Sequence, residues 1–347
     1  MPKTLLLILF SFKALAQMTS ASFFPNKRGT NPATIAQRKV RMISVSTTAD
    51  QVSKEQDISA TSGNGSKAET SVTVSSLNFF YGGKTTGGAA TEFFVDNAIG
   101  KKEEKLINSS SEVVLENDIQ SSLIGFGFGV NRSFGVAIMR ATYEFTADST
   151  YTFNGRTSDY QDDFDAQSMI FRLGYLNTKR FKLGFFVQRS VSTNRSEASD
   201  DNSGESSVIG IGIGGKSSKF RADFGHERVI SDDTDDNDDL NPMKTYITLE
   251  TKIWGLVLGY TRTIIEDGYT NVENSLYERL VHENSTGRRS ENSFNIAFRS
   301  KKGHSLGGSL FYSKTTSTEN NVVIGGTEEY DTETLEQGLS IVYGYAF

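Results

Sequence analysis

From residue 121 onward, large apolar side chains recur at every second position in short runs. In 121–130 they are Ile124, Phe126, Phe128 and Val130; in 167–176, Met169, Phe171, Leu173 and Tyr175; in 207–215, Ile209, Ile211 and Ile213. A period of two is that of a β-strand with one apolar face. The same pattern predicts strands at 135–145, 181–190, 220–229, 243–252, 254–264, 292–299 and 305–315. In 135–145 the apolar face is read as Ala137, Met139, Ala141, Tyr143 and Phe145. A last strand carries Leu339, Ile341, Tyr343, Tyr345 and Phe347. Turns of a few residues at 131–134, 177–180, 216–219 and 301–304 alternate with polar loops at 146–166, 191–206, 231–240, 265–291 and 316–334. Short turns at one end and long polar loops at the other mark an all-β, antiparallel, up-and-down transmembrane β-barrel.

The first third of the chain is less regular. Strands are expected at 39–48, 71–81 and 89–97. In 71–81 the apolar parity switches between Val72–Val74 and Leu77–Phe79–Tyr81, which predicts a β-bulge. Counting all three gives fourteen strands, the favoured number. Counting 71–81 alone gives twelve, with the preceding residues as an N-terminal plug. The barrel is assigned to 39–347, and 17–38 to a periplasmic or lumen-plug segment.

Residues 1–16 read as an export signal: Lys3, an apolar run from Leu5, and Ala14-Leu15-Ala16 as a small-x-small cleavage site before Gln17. The aromatic last strand resembles the signal read by bacterial barrel-assembly machinery. Together these place the chain in the outer membrane, with lipid and lipopolysaccharide around it. Trp254, Tyr343, Tyr345 and Phe347 are expected in the interfacial aromatic girdle.

Composition narrows this further. All four prolines lie outside the expected strands, as an unbroken hydrogen-bond ladder requires. There is no cysteine, which removes disulfides and thiolate chemistry, and only three histidines. A net charge of −6 argues against nucleic acid as a partner. No residue pattern calls for a cofactor or a metal.

If the large apolar residues face lipid, the opposite parity lines the lumen. That set includes Arg140, Glu144, Arg172, Lys182, Arg221, Asp223, Glu250 and Arg299, with Gln188 and Asn295. Charges of both signs fit either a shape-fixing ion-pair network or a filter. Two strands are nearly bare on this side: Gly125, Gly127 and Gly129 on one, Gly210, Gly212 and Gly214 on the other. Glycine weakens a strand unless something approaches its backbone, so the segment 17–36 is expected to pack on these tracks.

Asn31-Pro32-Ala33, ahead of the first expected strand, resembles the Asn-Pro-Ala box of the outer-membrane long-chain fatty-acid transporter family. The resemblance implies a hatch inside a fourteen-stranded barrel, passive uptake of a hydrophobic small-molecule ligand, and an opening near a kinked third strand. Gly87-Gly88 could serve that kink.

Two competing functions leave traces. His226, followed by the acidic run 232–239, faintly echoes outer-membrane hydrolases, but no serine stands at an activating offset. The run could also meet divalent cations, although a solvated loop explains it. Long outer loops rich in Ser, Thr, Asn and Asp suit a structural or adhesive barrel as well as a transporter.

Overall fold

A computed structural model describes residues 18, 22, 24, 31–38, 40–58, 66–84, 89–107, 111–130, 133–153, 156–177, 181–196, 199–231, 243–266, 287–323 and 326–347. The export signal, the acidic run 232–239 and Gly87-Gly88 lie outside the described residues. Fourteen strands follow in chain order: β1 Met42–Ile58, β2 Ser66–Lys84, β3 Ala90–Ile107, β4 Ser111–Val130, β5 Phe134–Phe153, β6 Arg156–Leu176 and β7 Lys182–Ser196. Then come β8 Ser199–Lys216, β9 Phe220–Ser231, β10 Met243–Ile253, β11 Leu256–Glu266, β12 Gly287–Arg299, β13 His304–Val323 and β14 Gly326–Ala346. Each pairs with its chain neighbours, and β1 pairs antiparallel with β14, closing the barrel. The favoured count of fourteen therefore holds.

Closure removes both sheet edges, so every strand can satisfy its backbone groups from its neighbours, as hydrocarbon requires. The exterior carries the expected apolar belt. Ile124, Phe126, Phe171, Leu173, Ile211, Ile247, Phe294, Ile296, Leu306 and Leu310 are all exposed on it. Such a surface is costly in water and favourable against lipid. At the short-turn end Trp254, Tyr343, Tyr345 and Phe347 point outward, and the Tyr345 and Phe347 rings stack at 6.0 Å. The β10–β11 turn is only Trp254-Gly255, with φ of 48° and 97°. Paired positive φ values match the twist of a two-residue hairpin, and Gly255 supplies the freer position.

Three expectations are corrected. First, 146–166, 191–206 and 316–334 are mostly strand: β5 and β6 run 20 and 21 residues and β13 and β14 run 20 and 21. Above the lipid both faces meet water, so the ladder continues after the apolar alternation stops. Second, 71–81 has no bulge. Its register with β1 and β3 is unbroken, with Val72 and Val74 buried inside and Leu77 and Phe79 outside. Third, β5 has the opposite parity: Phe134, Val136 and Ile138 face out, while Ala137, Met139 and Ala141 are buried within. Arg140 and Glu144 share the outward parity and are exposed, so they do not line the lumen. The inversion arises because β5 is apolar on both faces, so alternation alone does not tell which of Ile138 and Met139 meets lipid.

The strands are uneven in length. Among the described residues β9, β10 and β11 have 12, 11 and 11 residues, against about twenty in β4–β6 and β13–β14.

Candidate functional site

The residues ahead of β1 lie within the barrel near its short-turn end. Pro32–Gln37 forms a 3₁₀ helix. Asn31 caps it, its side-chain oxygen accepting from the Ala33 N–H at 3.0 Å, while proline at the first position loses no needed donor. The Asn31 amide donates to the Met18 carbonyl at 3.0 Å and to the Tyr175 carbonyl at 2.9 Å. Asn31 thereby closes the local turn and ties it to β6.

The wall makes room for this segment by omitting side chains. A Cβ on Gly174 would collide with the Asn31 oxygen, one on Gly135 with the Pro32 carbonyl, and one on Gly184 with the Met18 carbonyl. A Cβ on Gly127 would strike Ile35, and one on Gly129 would lie 2.5 Å from the Ala36 nitrogen. Gly212 faces Met18 in the same way. Gly125 and Gly210 are covered differently: the rings of Phe94 and Phe186 lie over them. Gly214 is half-buried, paired with Lys182 and Asp223 in the ladder.

Polar anchors complete the docking. Arg38 forms a buried ion pair with Glu92 at 3.1 Å, and its guanidinium lies 4.6 Å from the Phe80 ring centre. Lys182 donates to Gln37 at 2.8 Å. Fully buried Arg221 bridges Asp223 at 2.7 Å and Glu250 at 2.8 Å. The same carboxylates receive the Met18 N–H at 3.1 Å and the Ser22 hydroxyl at 2.5 Å. Arg172 bonds Gln188 at 2.9 Å and lies over the Phe186 ring. Arg299 is half-buried on the inward parity at the short-turn end, and Asn295 is buried, bonded to Ser293. Burying these charges is tolerable because they are paired and further hydrogen-bonded.

The lumen wall has two chemistries. From β6 round to β12 it carries the ionic groups Arg172, Arg221, Asp223, Glu227, Lys244, Glu250, Arg289 and Glu291. From β2 to β6, beyond the Arg38–Glu92 pair, it is apolar: Phe80, Phe94, Leu123, Met139, Ala141 and Ile170 form one buried cluster. Along β4 the order is Gly129 against Ala36, Gly127 against Ile35, Gly125 under Phe94, then Leu123. The apolar cluster thus stands next to the docked segment, on its far side from the short turns. Sequence reasoning missed this half. Its signal is nonetheless there, as consecutive apolar doublets on five adjacent strands: Phe79-Phe80, Phe93-Phe94, Leu123-Ile124, Ile138-Met139 and Met169-Ile170. One member of each doublet faces out and the other in.

His226 is half-buried with outward parity, its ring nitrogen 2.9 Å from the Thr245 hydroxyl. Among the described residues, no group of three or more His, Cys, Asp or Glu is placed to hold a metal.

No protein-family profile matches the chain, and no curated protein matches it. Solved structures do. The Pseudomonas putida toluene transporter TodX aligns at 10% identity over 95% of this chain and 96% of its own, with a TM-score of 0.57. A Pseudomonas aeruginosa FadL homologue aligns at 10% identity over 98% of each chain, with a TM-score of 0.57. The Ralstonia pickettii toluene transporter TbuX aligns at 9% identity over 96% of each, with a TM-score of 0.53. The chain has the fold of these outer-membrane transport barrels.

Proposed function

We propose that this protein is a passive channel of the bacterial outer membrane for small apolar molecules, with residues 17–38 as its plug. The observation that carries the proposal is the apolar inner wall of Phe80, Phe94, Leu123, Met139 and Ile170 beside that segment. An apolar solute entering there leaves water at a gain of about 25 cal/mol per Å² of its surface. Onward passage requires the segment to shift, and its anchors are individually breakable hydrogen bonds and ion pairs. The exterior belt supports the membrane placement. The Asn31-Pro32-Ala33 cap and the shared fold with toluene transporters support the class of cargo. The reading includes removal of 1–16 as an export signal and insertion by barrel-assembly machinery.

The test is flux into liposomes carrying purified barrel. A monoaromatic solute should enter faster than a sugar of similar size, and Met139→Gln with Ile170→Asn should remove that preference. A barrel that passes neither solute, and binds no apolar probe, sinks the channel. It would leave a recognition role for the hairpins β5–β6 and β13–β14, which extend well past the belt.

A further inference from the structure

Four exposed arginines lie at matching places on alternate strands: Arg140 on β5, Arg189 on β7, Arg228 on β9 and Arg262 on β11. All four have the outward parity of the lipid belt. They sit six to eight residues from the short-turn ends of their strands, counting from Phe134, Lys182, Phe220 and Leu256. At roughly 3.4 Å per residue and a tilt near 40°, that is about 16–21 Å up the wall, close to the far edge of a ~25 Å apolar band. The intervening strands offer neutral hydrogen-bonding side chains beside them: Gln167, which accepts from Arg140 at 3.2 Å, Ser207, paired with Arg189, and Asn292, paired with Arg262. On β1–β4 the outward side chains beyond the belt are uncharged to a similar depth, with Thr47, Ser75, Asn97 and Ser122. At this depth the outward positive charge therefore lies on β5–β11; Lys101 on β3 and Lys314 on β13 stand further out.

Arginine at this depth is expensive against acyl chains and favourable at the interface, where the stem lies along apolar surface and the guanidinium reaches outward. Carboxylates stand one to two steps further out: Glu205, which pairs with Arg189, and Glu144, Asp165 and Glu266. Up β5 the outward order is apolar, then guanidinium, then carboxylate; on β7, β9 and β11 one further apolar side chain (Val191, Ile230, Ile264) follows the arginine. A phosphorylated glycolipid presents acyl chains, then phosphates, then sugars carrying anionic groups that hold divalent cations. Guanidinium forks match phosphate oxygens, and the outer carboxylates match the cation layer.

We infer that the β5–β11 wall binds the phosphorylated headgroup of an outer-leaflet glycolipid, through Arg140, Arg189, Arg228 and Arg262. The inference rests on the outer-membrane placement proposed above.

The test compares folded wild type with R189Q/R228Q/R262Q by native mass spectrometry. Each is offered bisphosphorylated lipid A, dephosphorylated lipid A, phosphatidylglycerol or inorganic phosphate. Wild type should retain bisphosphorylated over dephosphorylated lipid A by at least about tenfold, the ratio expected from a single charge-assisted contact. The triple variant should bring that ratio near one, while K101Q/K314Q, which removes basic residues outside the patch, should leave it unchanged. Equal retention by wild type and triple variant overturns the site. So does preference for phosphatidylglycerol, or competition by inorganic phosphate alone. Aromatic-solute flux measured on the same samples separates the two readings: flux absent with lipid selectivity intact removes the channel only, and the reverse removes the lipid site only.

Discussion

The Asn31 side-chain amide donates to the Tyr175 carbonyl at 2.9 Å, joining residues 144 apart in the chain. The same nitrogen also holds the Met18 carbonyl, so one side chain fixes both the shape of the N-terminal segment and its seat on β6. Asn31→Ala should loosen docking by about 2–3 kcal/mol, from one buried and one part-buried acceptor left unmet and a lost cap. Asn31→Asp should be worse, because it turns the donor toward two carbonyl oxygens into an acceptor. Protease sensitivity of the segment in the intact barrel reads both changes.

The glycines facing the segment divide by what they face. A methyl on Gly135 meets the Pro32 carbonyl, which is backbone and cannot step aside. Gly135→Ala should displace the helix and raise single-channel conductance. A methyl on Gly125 meets the Phe94 ring, which can turn. Gly125→Ala should leave docking intact and change uptake of aromatic solute instead.

Much of this was readable in advance. The exterior of β6, β8 and β12 follows from alternation alone, because lipid accepts apolar side chains and little else. The inner apolar wall was hidden because a period-two pattern marks a face only when the two faces differ. On β5, Ile138 and Met139 are both apolar, and nothing local says which is outside. The hairpin tips were hidden for the opposite reason: beyond the lipid, both faces of 146–166 are polar, although the backbone pairing continues. The glycine tracks point toward the N-terminal segment, but only the fold separates Gly127, which faces Ile35, from Gly125, which faces a ring of the wall itself.

Ala36 and Gly129 offer a covalent lock. The Ala36 Cβ lies 2.8 Å from where a Cβ on Gly129 would stand, ~1 Å short of the ~3.8 Å spacing of a disulfide, so the helix must back away by about that much as the bond forms. The chain has no cysteine to compete. Ala36→Cys with Gly129→Cys should crosslink in the assembled barrel. Solute flux should fall on oxidation and return on reduction, as mobility shift and flux assays would register.

Arg221 neutralises two buried carboxylates at once. Arg221→Met should destabilise the barrel by about 3–5 kcal/mol, since Asp223 and Glu250 lose their shared cation. Glu250→Gln should cost less, because Arg221 keeps Asp223. Denaturation midpoints of the three proteins should fall in that order.

On the exposed part of β3–β4, Lys101 and Glu116 pair at 2.6 Å. Their hydrogen bond, reinforced by charge attraction, holds the Glu116 carboxyl below its usual pKa and the Lys101 ammonium above its own. The pair's contribution is therefore present above pH 4.5 and lost as pH falls through the lowered value of Glu116. At the other end it is complete below pH 10.5 and disappears as pH rises through the raised value of Lys101. Side-chain NMR titration of Glu116 should show its midpoint moving up toward the ordinary carboxylate value in Lys101→Gln.

The seam between β1 and β14 pairs Met42 with Ala346 and Ser53 with Leu335, and the Phe347 N–H bonds the Arg41 carbonyl. The first strand made must wait for the last before the cylinder can shut. Until then the wall is an open gutter, and the stretch that ends up inside lies directly ahead of the waiting strand. Loading the interior is therefore a matter of timing: the segment enters through a slot that the chain's own final residues zip closed behind it.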